Sequence, residues 1–469
     1  MKNSMRKKIA VIGGGVAGST CALYLGKLGA NVTLFEKKSC VVSGPPFCHL
    51  HAGGNLYREI PISQCIQLLK ESIEFLRFYP HGVDFRPTVI AIPKRDSGEP
   101  DEILERLKIL KTEYEKLIKK DKNNKVLGEP ENYYALFSKE KILKLRKKTQ
   151  PKNPTKFHDW LIPFAKKVDL DKIKFPIVIV NEYGLNLFRI GAFVEKELNE
   201  IKNVDFLLNT KVENVEKIEN KFKISYNQKS KEFDFVINAA GFNSYEIDHM
   251  LGYKRDKLVE FKAAYITKWE DNSYIWPEII FHGKRGTPYG MAQFTPYFGN
   301  YFQLHGMTKD ITLFEDSLVE CSGKKVLFPK HIIDKIYEGW QEKEVSERTK
   351  RAIFHMAEFI PTFKNATTSS KPLYGAQQIP GVDPDLRAVE VSYEGENYAR
   401  CEIVKVSSIF SIAKNLSNRL KTLGFIEKGK QIDKFSTMDR KEIDLIATSF
   451  ASKLGYPKDL GRVMNSYRV

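Results

Sequence analysis

Residues 8–36, KIAVIGGGVAGSTCALYLGKLGANVTLFE, constrain the fold more than any other stretch. The apolar run 8–12 suits a buried parallel strand, and Gly13, Gly15 and Gly18 follow it as G-x-G-x-x-G. Residues 16–28 then read as a helix, with Ala17, Cys21, Ala22, Leu25 and Leu28 on one side. Gly29 stops it, and 31–35 is a second strand ending on Glu36. Gly13 lets the chain turn out of the strand, Gly15 leaves room for a pyrophosphate, and Gly18 allows close packing of helix on strand. The turn through Gly14, Val16 and Ala17 opens the helix, whose first N–H groups and dipole favour phosphate. Glu36 falls where a carboxylate accepts hydrogen bonds from an unphosphorylated ribose. A glycine-rich turn alone says little, but the strand before, the helix after and the acid beyond together predict a dinucleotide-binding βαβ unit. A merely structural βαβ unit is the alternative.

At 469 residues the chain predicts two or three domains. No run of about 18 apolar residues exists, so no transmembrane helix is expected. The opening MKNSMRKK lacks an apolar stretch of signal-peptide length, which points to the cytoplasm. Six cysteines lie without C-x-x-C spacing, so neither a zinc site nor a redox pair is written here, and no metal is expected. Cys21 and Cys65 fall on helical faces as small core residues. The net charge of +17 is unusual. Its lysines are spread along the chain rather than gathered with aromatics. The charge therefore reads as solvated surface or attraction to an anionic membrane, not as a specific nucleic-acid site.

After Glu36, residues 37–60 form a loop rich in glycine, proline and histidine, at the carboxyl end of a strand where ligands of open α/β sheets bind. Residues 62–79 return to helix with Ile66, Leu69, Ile73 and Leu76 on one stripe. Residues 83–92 read as a strand, 101–120 as a charged helical excursion, and 139–148 as a short helix capped by Ser138. Residues 177–180, 204–212, 221–226 and 233–238 read as strands. Residues 265–313 alternate aromatic and polar side chains, as in antiparallel sheet. Residues 330–359 read as helix, 370–391 as loop, and 403–420 as a last strand and helix before a helical tail. The expected fold is α/β (α+β overall), a Rossmann-like nucleotide domain with an interleaved antiparallel-sheet substrate domain and helical insertions. The first domain takes 1–80, 170–250 and 365–425. The second takes 81–169 and 251–364, and a helical tail takes 426–469.

The glycine fingerprint with Glu36, the segment Asn209-Thr210-Lys211-Val212 and VINAAGFNS at 236–244 resemble the FAD-dependent oxidoreductases of the D-amino-acid-oxidase-like superfamily. The resemblance implies FAD as cofactor, with the Val212 backbone against adenine and Ala240 and Gly241 beneath the pyrophosphate. Lys37 and Ser43, in the loop after Glu36, are further cofactor-binding candidates. HLHAGGNLY at 49–57 is similar to a stretch of the 2-hydroxy-acid flavoenzymes and would set His51, Ala52 and Gly53 beside the isoalloxazine. IVKVSSIFSIAKNL at 403–416 is similar to an element of flavin glycerol-3-phosphate dehydrogenases and would set Lys405, Val406 and Ser407 near the pyrimidine edge. This chain lacks that element's double glycine. Malate:quinone oxidoreductases and related 2-hydroxy-acid dehydrogenases are the nearest resemblance.

That resemblance implies hydride transfer from a carbon bearing a hydroxyl or amine to flavin N5, with the protein orienting the substrate. A 2-hydroxy acid needs a cation for its carboxylate and a base for its hydroxyl proton. Candidates are Arg285 and Arg387 as carboxylate clamps, His305 as base, and His51 at the flavin. His282, Lys284, Tyr289, Gln293 and Tyr297 are candidate pocket residues, against the bland reading of sheet packing and a solvated turn. Cys48 and His49 raise a covalent flavin link, which nothing demands. Expected partners are a small acid substrate and quinone as electron acceptor, with peripheral attachment to the inner face of a membrane. An amino-acid or amine oxidase using oxygen, a non-catalytic flavin-binding redox module and flavin-dependent tRNA modification are the alternatives.

Overall fold

The computed structural model describes residues 7–45, 47–55, 60–322 and 326–464. Its first layer is a six-stranded sheet in the order Ser392–Glu394, Tyr398–Arg400, Phe235–Asn238, Lys8–Ile12, Asn31–Phe35, Val204–Leu207. All neighbours are parallel except the first pair, which is a hairpin. Continuous apolar runs such as KIAVI and FVIN belong in such a sheet because both faces are covered. The helices Val16–Lys27, Leu187–Glu200 and Ile409–Thr422 pack on one face. On the other, the meander Val212–Ile218, Lys221–Tyr226, Lys229–Phe233 sets Val215, Phe222, Ile224 and Phe233 against Ala10, Ile12, Phe35 and Val236.

The second layer is a ten-stranded mixed sheet. Its main path runs Leu318–Ser322, Asp256–Lys268, Tyr301–Gly306, Ala292–Tyr297, Glu278–Phe281, Thr88–Ala91, Ile177–Val180, Tyr134–Phe137. The long Asp256–Lys268 strand also carries Thr367–Thr368 and Leu373–Pro380. Strand side chains alternate between faces, and here the alternation divides two cores. Val89, Ile177, Ile179, Ala263, Tyr265, Phe294 and Leu304 point into a core covered by Ile162–Lys167 and Glu342–Ala357. Ile90, Val178, Val180, Ala264, Ile266 and Tyr297 point the other way, into the core shared with the nucleotide layer.

Several elements lie elsewhere than expected. The 177–180 run, placed with the nucleotide domain by its apolarity, pairs with Thr88–Ala91 and Tyr134–Phe137 in the large sheet. A buried β-branched run does not say which sheet buries it. Within the expected loop 370–391, Leu373–Pro380 is a strand, despite its glycine and terminal proline. Residues 403–408 hold no strand: Tyr398–Arg400 takes that place, and a 3-10 turn at Val406–Ser408 leads into the helix. The 83–92 segment divides into Val83–Asp84 and Thr88–Ala91, and 330–359 into Lys330–Tyr337 and Glu342–Ala357. Pro100–Lys120 buries Ile103, Leu107, Leu110 and Tyr114, so its apolar stripe is core rather than excursion.

The C-terminal segment is tied into the body. Asn186 caps Leu187–Glu200 through Oδ1, and its Nδ2 donates to the Leu460 carbonyl at 2.6 Å. Gly191 lets that helix meet Phe450 closely. Among the described residues no helix is long and apolar enough to cross a membrane.

Candidate active site

The glycine turn is built as its spacing predicts. Gly13 has φ +103°, and a Cβ there would overlap the Ala239 carbonyl; one at Gly18 would overlap the Gly13 carbonyl. At Gly15, by contrast, nothing lies within 4 Å of the Cβ position, and the same holds at Gly241. Gly15 caps Val16–Lys27 with no side-chain hydrogen bond, so the first N–H groups of the helix face that open space, with Ala17 buried behind them. Glu36 is buried and accepts from Gly14 N at 2.6 Å and Lys38 N at 2.8 Å. Asn238 holds the turn after the third parallel strand. Its Oδ1 accepts from Ala240 N, and its Nδ2 donates to the Ser244 carbonyl. Val212 opens the meander in register with Tyr226. Lys37 is exposed, its Nζ 5.4 Å over the Tyr337 ring. Ser43, Gly44 and Gly241 border a cavity of about 760 Å³.

The two segments expected at the flavin ring come together. Gly53 has φ +101° with its Cβ position 2.5 Å from the Cys65 carbonyl, so no larger residue fits. Ala52 is buried, and Gly54 N donates to Glu182 at 2.6 Å. Lys405 precedes the turn of Val406, Ser407 and Ser408, and its charge acts on the His51 ring. Ser408 Oγ donates to Glu71 at 2.5 Å, whereas Ser407 Oγ is buried with no hydrogen-bond partner among the described residues. An orphaned hydroxyl beside the loop of His51, together with the open space over Gly15 and Gly241, fits a long cofactor running from Glu36 past the glycine turn to Ser407. Leu56 and Tyr57 of the HLHAGGNLY motif lie outside the described residues, as does the Cys48 side chain.

Opposite this loop, the large sheet breaks its apolar alternation. Glu260, Lys262, Glu278, Gln293 and His305 stand on the face that elsewhere carries Ala264, Ile266 and Tyr297. Glu278 is fully buried. Its Oε2 pairs with Arg86 Nη2 at 2.9 Å, and its Oε1 meets His49 Nδ1 at 2.7 Å and Gln293 Nε2 at 2.5 Å. Gln293 Oε1 lies 3.4 Å from His305 Nδ1. Asn55 touches both loop histidines: Nδ2 meets His49 Nε2, and Oδ1 is 3.3 Å from His51 Nδ1. Lys262 Nζ donates to Gln377 Oε1 at 2.9 Å and pairs with Glu260, which also pairs with Arg285. Gln377 Nε2 reaches the Val404 carbonyl, joining this sheet face to the Lys405 turn.

Charge organises the site. Burial alone would raise the Glu278 carboxyl, but His49 and Arg86 hold it down at about 2, so it stays ionised. Burial, then the charges of Lys262, Lys405 and Arg285, press the His305 imidazolium down to about 3, against Glu278. Burial and the Lys405 charge likewise hold His51 well below its ordinary value, with His49 and Arg387 adding to them and the hydrogen bond to Asn55 working against them. Burial, reinforced by Arg387, brings the Lys262 ammonium down to about 7, while the Glu260 carboxylate 2.5 Å from Nζ works against that. Both histidines are therefore neutral near neutral pH, in a field set largely by cations.

Of the other predicted residues, Arg387 is buried beside the site, its Nη1 donating to the Pro384 and Leu386 carbonyls and its N to Gln64 Oε1. Tyr289 is 60% exposed and Lys284 is exposed, so neither lines the pocket. His282 is half-buried at the end of its strand, and its N donates to the Ala91 carbonyl. Tyr297 is buried, with the Arg86 guanidinium 5.7 Å from its ring centre. Sequence reasoning missed Arg86, Glu182, Glu260, Lys262 and Glu278. The available signal was a charged residue at an inward position of an otherwise apolar strand, as in DKLVEFKAAYITK.

Residues 8–142 match the family model described as FAD dependent oxidoreductase. No curated protein matches significantly. Among solved structures, L-proline dehydrogenase from P. horikoshii aligns with a TM-score of 0.56 at 16% identity, over 90% of this chain and 95% of that one. L-alpha-glycerophosphate oxidase from Mycoplasma pneumoniae, with FAD bound, aligns at 0.56 and 13%, over 92% and 99%. Glycine oxidase from Geobacillus kaustophilus aligns at 0.52 and 13%, over 92% and 97%. At these identities the structures establish a shared fold, and the family match is confined to the N-terminal part of the chain that carries the glycine fingerprint.

Proposed function

We propose that this flavoenzyme oxidises a small 2-hydroxy acid, malate-like in carrying carboxylates, and passes the electrons to a quinone. The observation that carries the reading is the cation field on both site histidines. Lys262, Lys405, Arg285 and Arg387 all act on His305 or His51. Such a field attracts an anion, and a carboxylate held within it would offset the positive charge and raise the proton affinity of His305 as the substrate binds. His305 then takes the hydroxyl proton as the hydride leaves the same carbon. Arg285 and Arg387 hold carboxylate, Lys262 adds charge, and His51 with Lys405 lies at the ring edge. FAD, when bound against Gly13, Gly14, Gly15, Glu36, Gly241 and Ser407, supplies the ring position that accepts the hydride. An amino acid would bring its ammonium into the same field, which disfavours it. The net charge of +17 supports a quinone acceptor reached at an anionic membrane surface.

The test is anaerobic bleaching of the yellow protein near about 450 nm. Malate, lactate, 2-hydroxyglutarate, glycerol 3-phosphate and amino acids would be added in turn. Bleaching by a hydroxy acid, reversed quickly by a quinone analogue and slowly by oxygen, is expected. Bleaching by amines alone with fast reoxidation in air would replace the reading with an oxidase, and bleaching by none would leave a redox module.

A further inference from the structure

We propose that Glu278 anchors a two-armed hydrogen-bond chain that fixes the tautomers of both site histidines, so that His305 and His51 each present Nε2 as the proton-accepting nitrogen. The polarity of the chain follows from its first member. An ionised carboxylate can only accept, so both groups at Glu278 Oε1 must turn a proton to it: His49 Nδ1, in contact at 2.7 Å, and Gln293, which donates through Nε2 at 2.5 Å. The Arg86 guanidinium at Oε2 keeps the anchor an acceptor.

Each arm then propagates through a carboxamide, which donates at one end and accepts at the other. With its NH₂ committed to Glu278, Gln293 offers its carbonyl to His305 Nδ1 at 3.4 Å, so that nitrogen carries the hydrogen. On the other arm, a neutral His49 with its proton on Nδ1 has a bare Nε2, and that nitrogen meets the Asn55 amide nitrogen. Asn55 therefore turns its carbonyl to His51 Nδ1 at 3.3 Å, which must also donate. A neutral imidazole protonated at Nδ1 has its lone pair on Nε2. One buried carboxylate thus settles five side-chain orientations, those of Gln293 and His305 on the large sheet and of His49, Asn55 and His51 in the 47–55 loop. Glu278, Gln293, His49 and Asn55 are positioning residues for the proposed reaction, and their catalytic meaning rests on that reading; the tautomers themselves do not.

The experiment is a long-range proton–nitrogen correlation spectrum of the oxidised holoenzyme, labelled with ¹⁵N at histidine, with His51→Asn and His305→Asn supplying assignments. The wild-type protein is expected to show protonated Nδ1 and bare Nε2 at both rings. Gln293→Leu should turn His305 into a tautomer mixture and leave His51 unchanged, and Asn55→Leu should do the reverse. Glu278→Gln, whose carboxamide can donate or accept, should mix both, with Glu278→Asp restoring the pattern. If Glu278→Gln does not fold, the two single-arm variants decide. Protonated Nε2 at either ring of the wild type, or a His305 pattern unmoved in Gln293→Leu, overturns the inference. Substrate bleaching in Gln293→Leu should slow by roughly 100-fold with little change in KM. Tautomers that follow the variants in a protein no substrate bleaches would sink the proposed function and leave the chain of bonds standing.

Discussion

The two faces that border the proposed cofactor site are made in opposite ways. The nucleotide layer presents backbone: Gly13, Gly15 and Gly241 offer turns, N–H groups and open space, and the Glu36 carboxylate closes against the turn by accepting from Gly14 N. The large sheet presents side chains, with Glu260, Lys262, Glu278, Gln293 and His305 replacing apolar residues at inward positions. Backbone recognition needs a few consecutive residues and tolerates little. The polar face is gathered from strands far apart in the chain and depends on mutual compensation of charge.

Changes at the glycine turn should therefore abolish rather than attenuate. Gly13→Ala forces a Cβ into the Ala239 carbonyl at φ +103°, and the purified protein should be colourless. Flavin retained at wild-type content would refute the steric account. On the polar face the largest loss should be in stability. Arg86→Met removes the fully buried cation from Glu278, and urea unfolding should report about 3–5 kcal/mol, since the carboxylate remains buried with less compensation. A cost under 1 kcal/mol would mean that His49 and Gln293 suffice. His305→Asn keeps a polar side chain but removes the proposed base, so flavin bleaching by substrate should slow roughly 10²- to 10⁴-fold while FAD content is unchanged.

A smaller effect separates the faces by pH. The His305 imidazolium is held at about 3 against an ordinary 6.5. Below pH 6.5 the unfolded chain binds a proton there that the native chain refuses, so stability falls with pH until about pH 3. The slope is up to about 1.4 kcal/mol per unit for one group. His305→Asn should flatten that part of the stability profile. An unchanged slope would show that the ring is already charged in the native state. The smallest expectation is Tyr289→Ala, a change of under about 0.5 kcal/mol with unaltered kinetics, because that ring is mostly exposed.

The same contrast explains what could be read from the chain. The cradle was legible because strand, glycines, helix and Glu36 are contiguous, and each residue type has one steric or electrostatic task. His305 and Arg285 stood out in the sequence as residue types suited to the proposed chemistry, but their partners did not. Glu278 meets Gln293 across a strand pair and His49 across more than two hundred residues, and no local pattern announces such a meeting. Lys262 reads as one more lysine in a lysine-rich chain until its strand is found paired on both edges, with its side chain beneath Gln377. The 373–380 strand was missed because its glycine and proline imitate a turn, whereas Gly375 is small there to admit Pro45.

The order of strands in the parallel sheet bears on how the molecule is made. Lys8–Ile12 leaves the ribosome before all its sheet partners, which are Asn31–Phe35 on one side and Phe235–Asn238 on the other, with Tyr398–Arg400 beyond the latter. At about 5–20 residues per second, translation takes roughly 10 to 50 seconds to reach the second neighbour. Throughout that interval an apolar strand has one edge unpaired, the condition under which nascent chains aggregate. The long pairing of the parallel sheet thus makes its synthesis slow to become safe, and cells that produce this chain should need a chaperone to hold the βαβ unit of residues 8–35 until Phe235–Asn238 arrives.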